Sequence, residues 1–252
     1  MANERLRAAL LSNGFGIQEA SANLGVDRKT VERWISGRVP YRKHQYALAA
    51  MLGVDLSYLW PDSRSGDEIN ALGQAEVVAF YAHRSVVPVD EWMTMFDQAR
   101  SNLDVLVFSA FWLSELSAFH RLLRDKAKAG LAIRIMLGEP SCSEVTQRGT
   151  DEGIGAAMAN KVRNAIVNYG DLPTLDGIEF RLHGTTLYNS LYRADDEMLV
   201  NTHIYGVGAY LAPVLHLQRV PGADLFTTYL DCFERVWSSA RPLTEADRTL
   251  VA

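Results

Sequence analysis

Residues 187–206 read LYNSLYRADDEMLVNTHIYG, and the fold of the longer part of the chain turns on them. Two runs rich in Leu, Val, Tyr and Thr flank the acidic pair Asp195-Asp196. Runs of that composition suit pleated strands, and a short polar pair between them suits a hairpin tip. The stretch therefore predicts strands over 187–194 and 197–204. GIEFRLH (177–183) and PVLHLQRV (213–220) read as further strands. LDVLVFSAF (103–111) and LAIRIMLGEP (131–140) are continuous apolar runs, the pattern of strands covered on both faces. Helical spacing predicts helices over 89–100, 113–129, 151–168 and 223–240, the last with Leu225, Tyr229, Phe233 and Trp237 at every fourth residue. EVVAFYAH (76–83) fits either a strand or the start of a helix. Together these runs predict a mixed α/β domain over 73–252, long enough for one core of ordinary size.

Upstream the pattern is all-α. Five short helices are expected over 3–11, 17–24, 28–36, 43–52 and 56–60, punctuated by Gly16, Gly25, Gly37, Gly53 and Pro61. In IQEASANLGVDRKTVERW (17–34), Ala20, Leu24, Val26, Val31 and Trp34 are apolar at the spacing that packs the second helix on the third. Ser21 is small where the two must cross, Gly25 takes the turn and Asp27 caps the third helix. This is a helix-turn-helix pattern. PDSRSGDEIN (61–70) is polar and broken by Pro and Gly, which reads as a linker. The expected organisation is an α+β two-domain chain: a five-helix helix-turn-helix domain over 1–62, a linker over 63–72, and the mixed-sheet domain over 73–252.

Charge follows the same division. Residues 1–64 hold nine Lys or Arg against six Asp or Glu, a balance of +3, so the remainder carries −8 of a total of −5. A basic head on an acidic body suits a DNA-binding module joined to something that does not touch DNA. The two cysteines, Cys142 and Cys232, support neither a disulfide framework nor a zinc knuckle, and a reducing cytoplasm is expected. No apolar run approaches the ~20 residues of a spanning helix, so no membrane partner is expected.

The stretch 17–34 and its continuation ISGRVPYRKHQYALAAMLGVDLSYLWP (35–61) resemble the phage-repressor-type, or XRE, family of regulators over about sixty residues. The resemblance implies that the third helix enters the major groove of double-stranded DNA. Arg28, Lys29, Thr30 and Arg33 match the base-contacting positions, and Gln18 matches one that bonds phosphate. Arg38, Arg42 and Lys43, which follow the helix, suit backbone contacts. A homodimer on a palindromic operator is implied as well.

The order of elements in 73–252 is similar to one half of the phospholipase D superfamily, whose signature is His-x-Lys-x(4)-Asp followed by Gly-Ser or Gly-Thr. With Asp195 on the Asp of that signature, Tyr188 takes the His position, Ser190 the Lys position, and Thr202 and His203 fall near the Gly-Ser pair. The nucleophile and the cation of that chemistry are then lost. The resemblance implies a domain that senses and dimerises and is not an enzyme, with no metal and no cofactor. The fold places a pocket at the carboxyl ends of the central strands. Ser109, Trp112, Glu139, Tyr188, Ser190, Asp195, His203 and Tyr205 are its candidate residues, suited to an unknown small-molecule effector. A histidine in such a place is more often a core or edge residue than a ligand contact, and the tyrosines of 188–192 also read as ordinary strand residues. The expected function is a dimeric, sequence-specific transcription regulator, as a ligand-responsive one or as a constitutive repressor whose second domain only dimerises. The alternative is a DNA-directed phosphodiesterase or nuclease using His203 with Asp195.

Overall fold

The computed structural model describes residues 2–60 and 66–249, and the chain divides into two compact units, Met1–Ala71 and Leu72–Ala252.

In the first unit α1 (Glu4–Ser12), α2 (Ile17–Leu24), α3 (Arg28–Ile35), α4 (Arg42–Leu52) and α5 (Leu56–Leu59) surround a core that includes Leu6, Leu10, Ala20, Val31, Trp34 and Leu48. Gly25 ends α2 in the left-handed region at φ 63°, where any side chain costs roughly 1–2 kcal/mol. The Asp27 carboxylate accepts the Lys29 N–H at 2.7 Å and starts α3. Asn3 accepts the Leu6 N–H at 2.9 Å and donates to the Leu59 carbonyl at 2.8 Å, which ties the first helix to the last.

The expected linker over 63–72 is corrected in part. Residues 66–72 belong to a helix, α6 (Gly66–Glu76), and 61–65 lie outside the described residues. Its run INALGQAE is composed mostly of good helix formers, and that outweighs the polar composition that suggested a linker.

The second unit has the expected mixed architecture. Its strands are β1 (Val77–Tyr81), β2 (Asn102–Leu106), β3 (Ala132–Gly138), β4 (Ile178–His183), β5 (Asn189–Ala194), β6 (Glu197–Thr202), β7 (Val214–Gln218) and β8 (Arg241–Pro242). They form one sheet in the order β1-β7-β6-β5-β2-β3-β4-β8. β2, β3 and β4 run parallel, and every other pairing is antiparallel. The helices are α7 (Val89–Gln98), α8 (Phe111–Ser114), α9 (Ser117–Lys128), α10 (Ser143–Asp151), α11 (Ala157–Asn168), α12 (Leu225–Ser239) and α13 (Glu245–Thr249). The acidic pair does form the β5–β6 tip, with Asp195 in the left-handed region at φ 51°.

Two boundaries depart from expectation at the same end of the sheet. The strand expected over 103–111 stops at Leu106, and Ala110, at φ 41°, turns the chain into α8. The helix expected over 151–168 is α11 alone, preceded by α10, whose polar run SEVTQRGTD gave no helical signal. Gly149 joins the two: a Cβ there would stand 2.1 Å from the Gly155 carbonyl oxygen.

On the sheet, Asp104 is 1% exposed. Its carboxylate accepts from Arg134 Nε and Nη2 at 2.7 and 3.0 Å and from Arg193 Nη1 at 2.7 Å. Arg134 reaches on to Glu234 on α12 and lies 4.6 Å over the Phe233 ring, so one ion network fixes the closing helix against the sheet. Glu76 is fully buried and accepts the Leu225 and Phe226 N–H groups at 2.8 and 3.2 Å, capping α12 from the end of α6. Among the described residues no helix is long and apolar enough to cross a membrane.

Candidate functional site

Where β2 gives way to Ser109 and Ala110, the second unit opens a cavity of about 440 Å³. Its floor is built by the open end of the β5–β6 hairpin. Ser190 pairs with Asn201 in the ladder and is 5% exposed. His203 follows the last residue of β6, and its N–H donates to the Tyr188 carbonyl at 2.8 Å, extending the ladder by one step. The imidazole stacks on Phe108, with ring centroids 5.8 Å apart and planes 23° from parallel.

The tautomer of His203 follows from its partners. Nδ1 is 3.0 Å from the Leu187 carbonyl, which can only accept, so Nδ1 carries the proton. Nε2 is 3.0 Å from Ser190 Oγ and is left as an acceptor, so the hydroxyl donates to it. Burial first, then the Arg148 charge, push the His203 pKa down to about 4, and the ring is neutral at pH 7.

Arg148 stands in the same cavity, 8% exposed, paired with Glu152 at 2.6 Å and donating to the Val207 carbonyl at 3.3 Å. The close Gly149–Gly155 approach packs this last turn of α10 against the segment that leads into α11. Arg84 lies 4.9 Å over the Trp112 ring and, with Lys161, also lines the cavity. Neither forms an ion pair among the described residues. Trp112 packs edge-on to Trp92, and Trp92 to the buried Tyr192, giving an apolar wall behind the polar floor.

Of the eight candidate residues, the cavity brings together Ser109, Trp112, Ser190 and His203. The other four are placed elsewhere. Tyr188 and Tyr205 are 81% and 83% exposed. Glu139 is paired with Arg241 at 2.7 Å. Asp195 sits at the opposite end of the hairpin, where its carboxylate accepts the Arg100, Ser101 and Asn102 N–H groups at 2.7, 2.9 and 2.8 Å. Burial pushes its pKa up, and the three N–H groups with nearby Arg193 more than offset that, leaving it lowered. Asp195 and His203 are not brought together, so that pairing for a phosphodiesterase is corrected. His183 is a core histidine: it donates from Nε2 to the Val107 carbonyl at 3.0 Å and accepts the Thr185 N–H at Nδ1. Arg84, Arg148 and Lys161 were not among the candidates; they stand far apart in the chain and join only through the fold.

On the first unit, α3 buries Val31, Trp34 and Ile35 and turns Arg28, Lys29 and Arg33 to solvent, with Thr30 half-buried. Arg28 pairs with Glu32 one turn on, at 2.9 Å. Gln18 is exposed on the first turn of α2, and Arg38 and Lys43 are exposed beyond α3. Arg42 packs on Tyr46. Thr30, Arg33, Arg38 and His44 line a shared groove.

No family model and no curated protein matches the chain. Among solved structures it is similar to Nuc, a phospholipase D family member from Salmonella typhimurium, at 13% identity and TM-score 0.40, over 62% of this chain and 91% of that one. It is similar to NucT from Helicobacter pylori at 10% identity and TM-score 0.42, over 66% of this chain and 98% of that one. TrmBL2, an archaeal chromatin protein with a novel mode of DNA binding, matches at 11% identity and TM-score 0.42, over 86% of this chain and 65% of that one. The expectation that the chain is not an enzyme is withdrawn. The second unit's own cavity holds a hydroxyl hydrogen-bonded to an unprotonated imidazole nitrogen, a pairing of the kind that nucleophilic catalysis uses.

Proposed function

We propose that the chain is a sequence-specific DNA-binding regulator that acts as a dimer, with a ligand cavity in its second unit. The observation that carries this reading is α3: one face is locked by Val31, Trp34 and Ile35, and the other presents Arg28, Lys29 and Arg33 directly after a two-helix turn at Gly25. A rigid helix with a cationic outer face fits the major groove, where Arg grips guanine through two hydrogen bonds. Thr30 joins those contacts. Gln18, Arg38, Arg42 and Lys43 hold the backbone phosphates. Glu32 keeps Arg28 extended along the helix. The dimer finds support in edge strand β1, where Val78 and Phe80 are exposed two residues apart, the spacing that puts both on one face. The effector finds support in the cavity walls, with Ser109, Trp112, Ser190 and His203 as its contacts.

The test is selection of bound fragments from a random DNA pool by the full chain. An enriched inverted repeat with half-sites about one turn (~34 Å) apart is expected. Arg28→Ala and Arg33→Ala should each cost about 1–3 kcal/mol on that site and relax its specificity, whereas Lys43→Ala should weaken all sequences alike. Equal losses on selected and random DNA for the two arginine variants would remove α3 from the role of reading helix.

A further inference from the structure

We propose that Ser190 is a nucleophile activated by His203, and that the cavity accepts a small carboxylic ester bearing an anionic group. This deepens the reading of the cavity as a ligand site and is independent of the DNA-binding reading.

Nucleophilic catalysis needs a hydroxyl on a base, and a third group that orients the base. All three are present. Ser190 Oγ donates to His203 Nε2 at 3.0 Å, and the Leu187 carbonyl accepts from Nδ1 at 3.0 Å, fixing the tautomer that leaves Nε2 free to take a proton. Phe108 holds the ring plane from one side. The hydroxyl borders an open cavity and is not sealed in the core.

The charges select the substrate class. Arg148 is the cation beside His203, and its guanidinium is already engaged by Glu152, so the position at Ser190 suits an uncharged electrophile better than a phosphodiester. Arg84 and Lys161 carry the unpaired charge among the described residues of the cavity, so the anionic group of the substrate belongs with them. Phe108, Trp112 and Tyr192 supply apolar wall for the remainder.

The reaction balances without a co-reactant other than water. Ser190 Oγ bonds to the ester carbonyl carbon as its proton passes to His203 Nε2. The bond from that carbon to the leaving oxygen breaks, and the leaving alkoxide takes the proton from Nε2. Water then attacks the acyl-serine and gives a proton to Nε2. The acid departs, and Ser190 Oγ recovers the proton.

The experiment treats the full chain with a fluorophosphonate, which bonds to an activated serine oxygen as the P–F bond breaks, and maps the adduct by mass spectrometry. A single adduct on Ser190 is expected, slowed at least 10-fold by His203→Asn. The charged groups around His203 are Arg84, Arg148, Glu152 and Lys161. With the ring neutral down to a pKa of about 4, the labelling rate should stay flat through pH 6.5 and fall only below about pH 5. Turnover of 4-nitrophenyl hemisuccinate should exceed that of the neutral 4-nitrophenyl butyrate. An unlabelled Ser190 in the wild-type chain, or labelling that His203→Asn leaves unchanged, overturns the proposal. In parallel, 1-anilinonaphthalene-8-sulfonate is titrated against tryptophan fluorescence. Binding without labelling keeps the cavity as a ligand site and removes the nucleophile, and loss of both removes the cavity reading as well.

Discussion

At the tip of the β5–β6 hairpin, Asp195 spends its carboxylate on three backbone N–H groups at the start of β2. At the open end of the same hairpin, Ser190 and His203 satisfy one another and face a cavity just past the end of β2. The strands between are six residues each, so the two ends stand roughly 20 Å apart at about 3.3 Å per residue. One end is built to hold, and its polar groups are saturated by the main chain. The other leaves a proton acceptor and a hydroxyl facing open volume, and that is where chemistry can occur. A polar residue in a motif is thus assigned by what its partners leave over, not by its type.

The comparison breaks most visibly at the ion network on the holding side. Asp104→Ala leaves Arg134 and Arg193 without their shared carboxylate and should cost about 3–5 kcal/mol in denaturant unfolding. Asp195→Ala should cost about 2–3 kcal/mol, because it orphans three N–H groups and places a non-glycine residue without compensation at φ 51°. It should leave serine labelling at the far end unchanged. A loss of labelling there would mean that the two ends are one device.

The open end predicts the converse. The folded His203 pKa of about 4 lies below the unfolded value of 6.5, so the unfolded state binds the extra proton between these pH values. Stability contributed by neutral His203 is therefore full above pH 6.5 and is lost as pH falls toward 4. A His203→Asn variant should show a shallower decline of Tm over that window. A wild-type Tm that is level from pH 6.5 to 4.5 would contradict the buried neutral ring. Smallest of all, Ser190→Ala should shift stability by less than about 1 kcal/mol, because only one hydrogen bond to a partly wet group is lost.

Much of this architecture is legible in the chain. The five short helices carry periodic apolar signals because each buries one face in a core, and the parallel core strands β2 and β3 read as continuous apolar runs because both their faces are covered. α10 is silent, since SEVTQRGTD buries Val145, an ion-paired Arg and a glycine whose value lies only in its lack of a side chain. Half of the candidate cavity residues were legible for a similar reason. Ser109, Trp112, Ser190 and His203 sit at or near strand ends, which topology brings together. Asp195 was misplaced because spacing along a motif does not reveal which end of a hairpin a cavity occupies. Arg84 and Lys161 lie on other elements than the hairpin, and nothing in local sequence points to where they meet.

The buried Glu76 bears on how the chain can be dissected. It belongs to the last turn of α6, before the first strand, yet it supplies the cap for α12 near the other end of the second unit. A fragment begun at Val77, where the sheet starts, would keep every strand and lose the acceptor for two main-chain donors on the closing helix. A fragment begun at Leu72 keeps it. The boundary of this unit is therefore drawn by a side chain, a few residues ahead of where its secondary structure would place the cut.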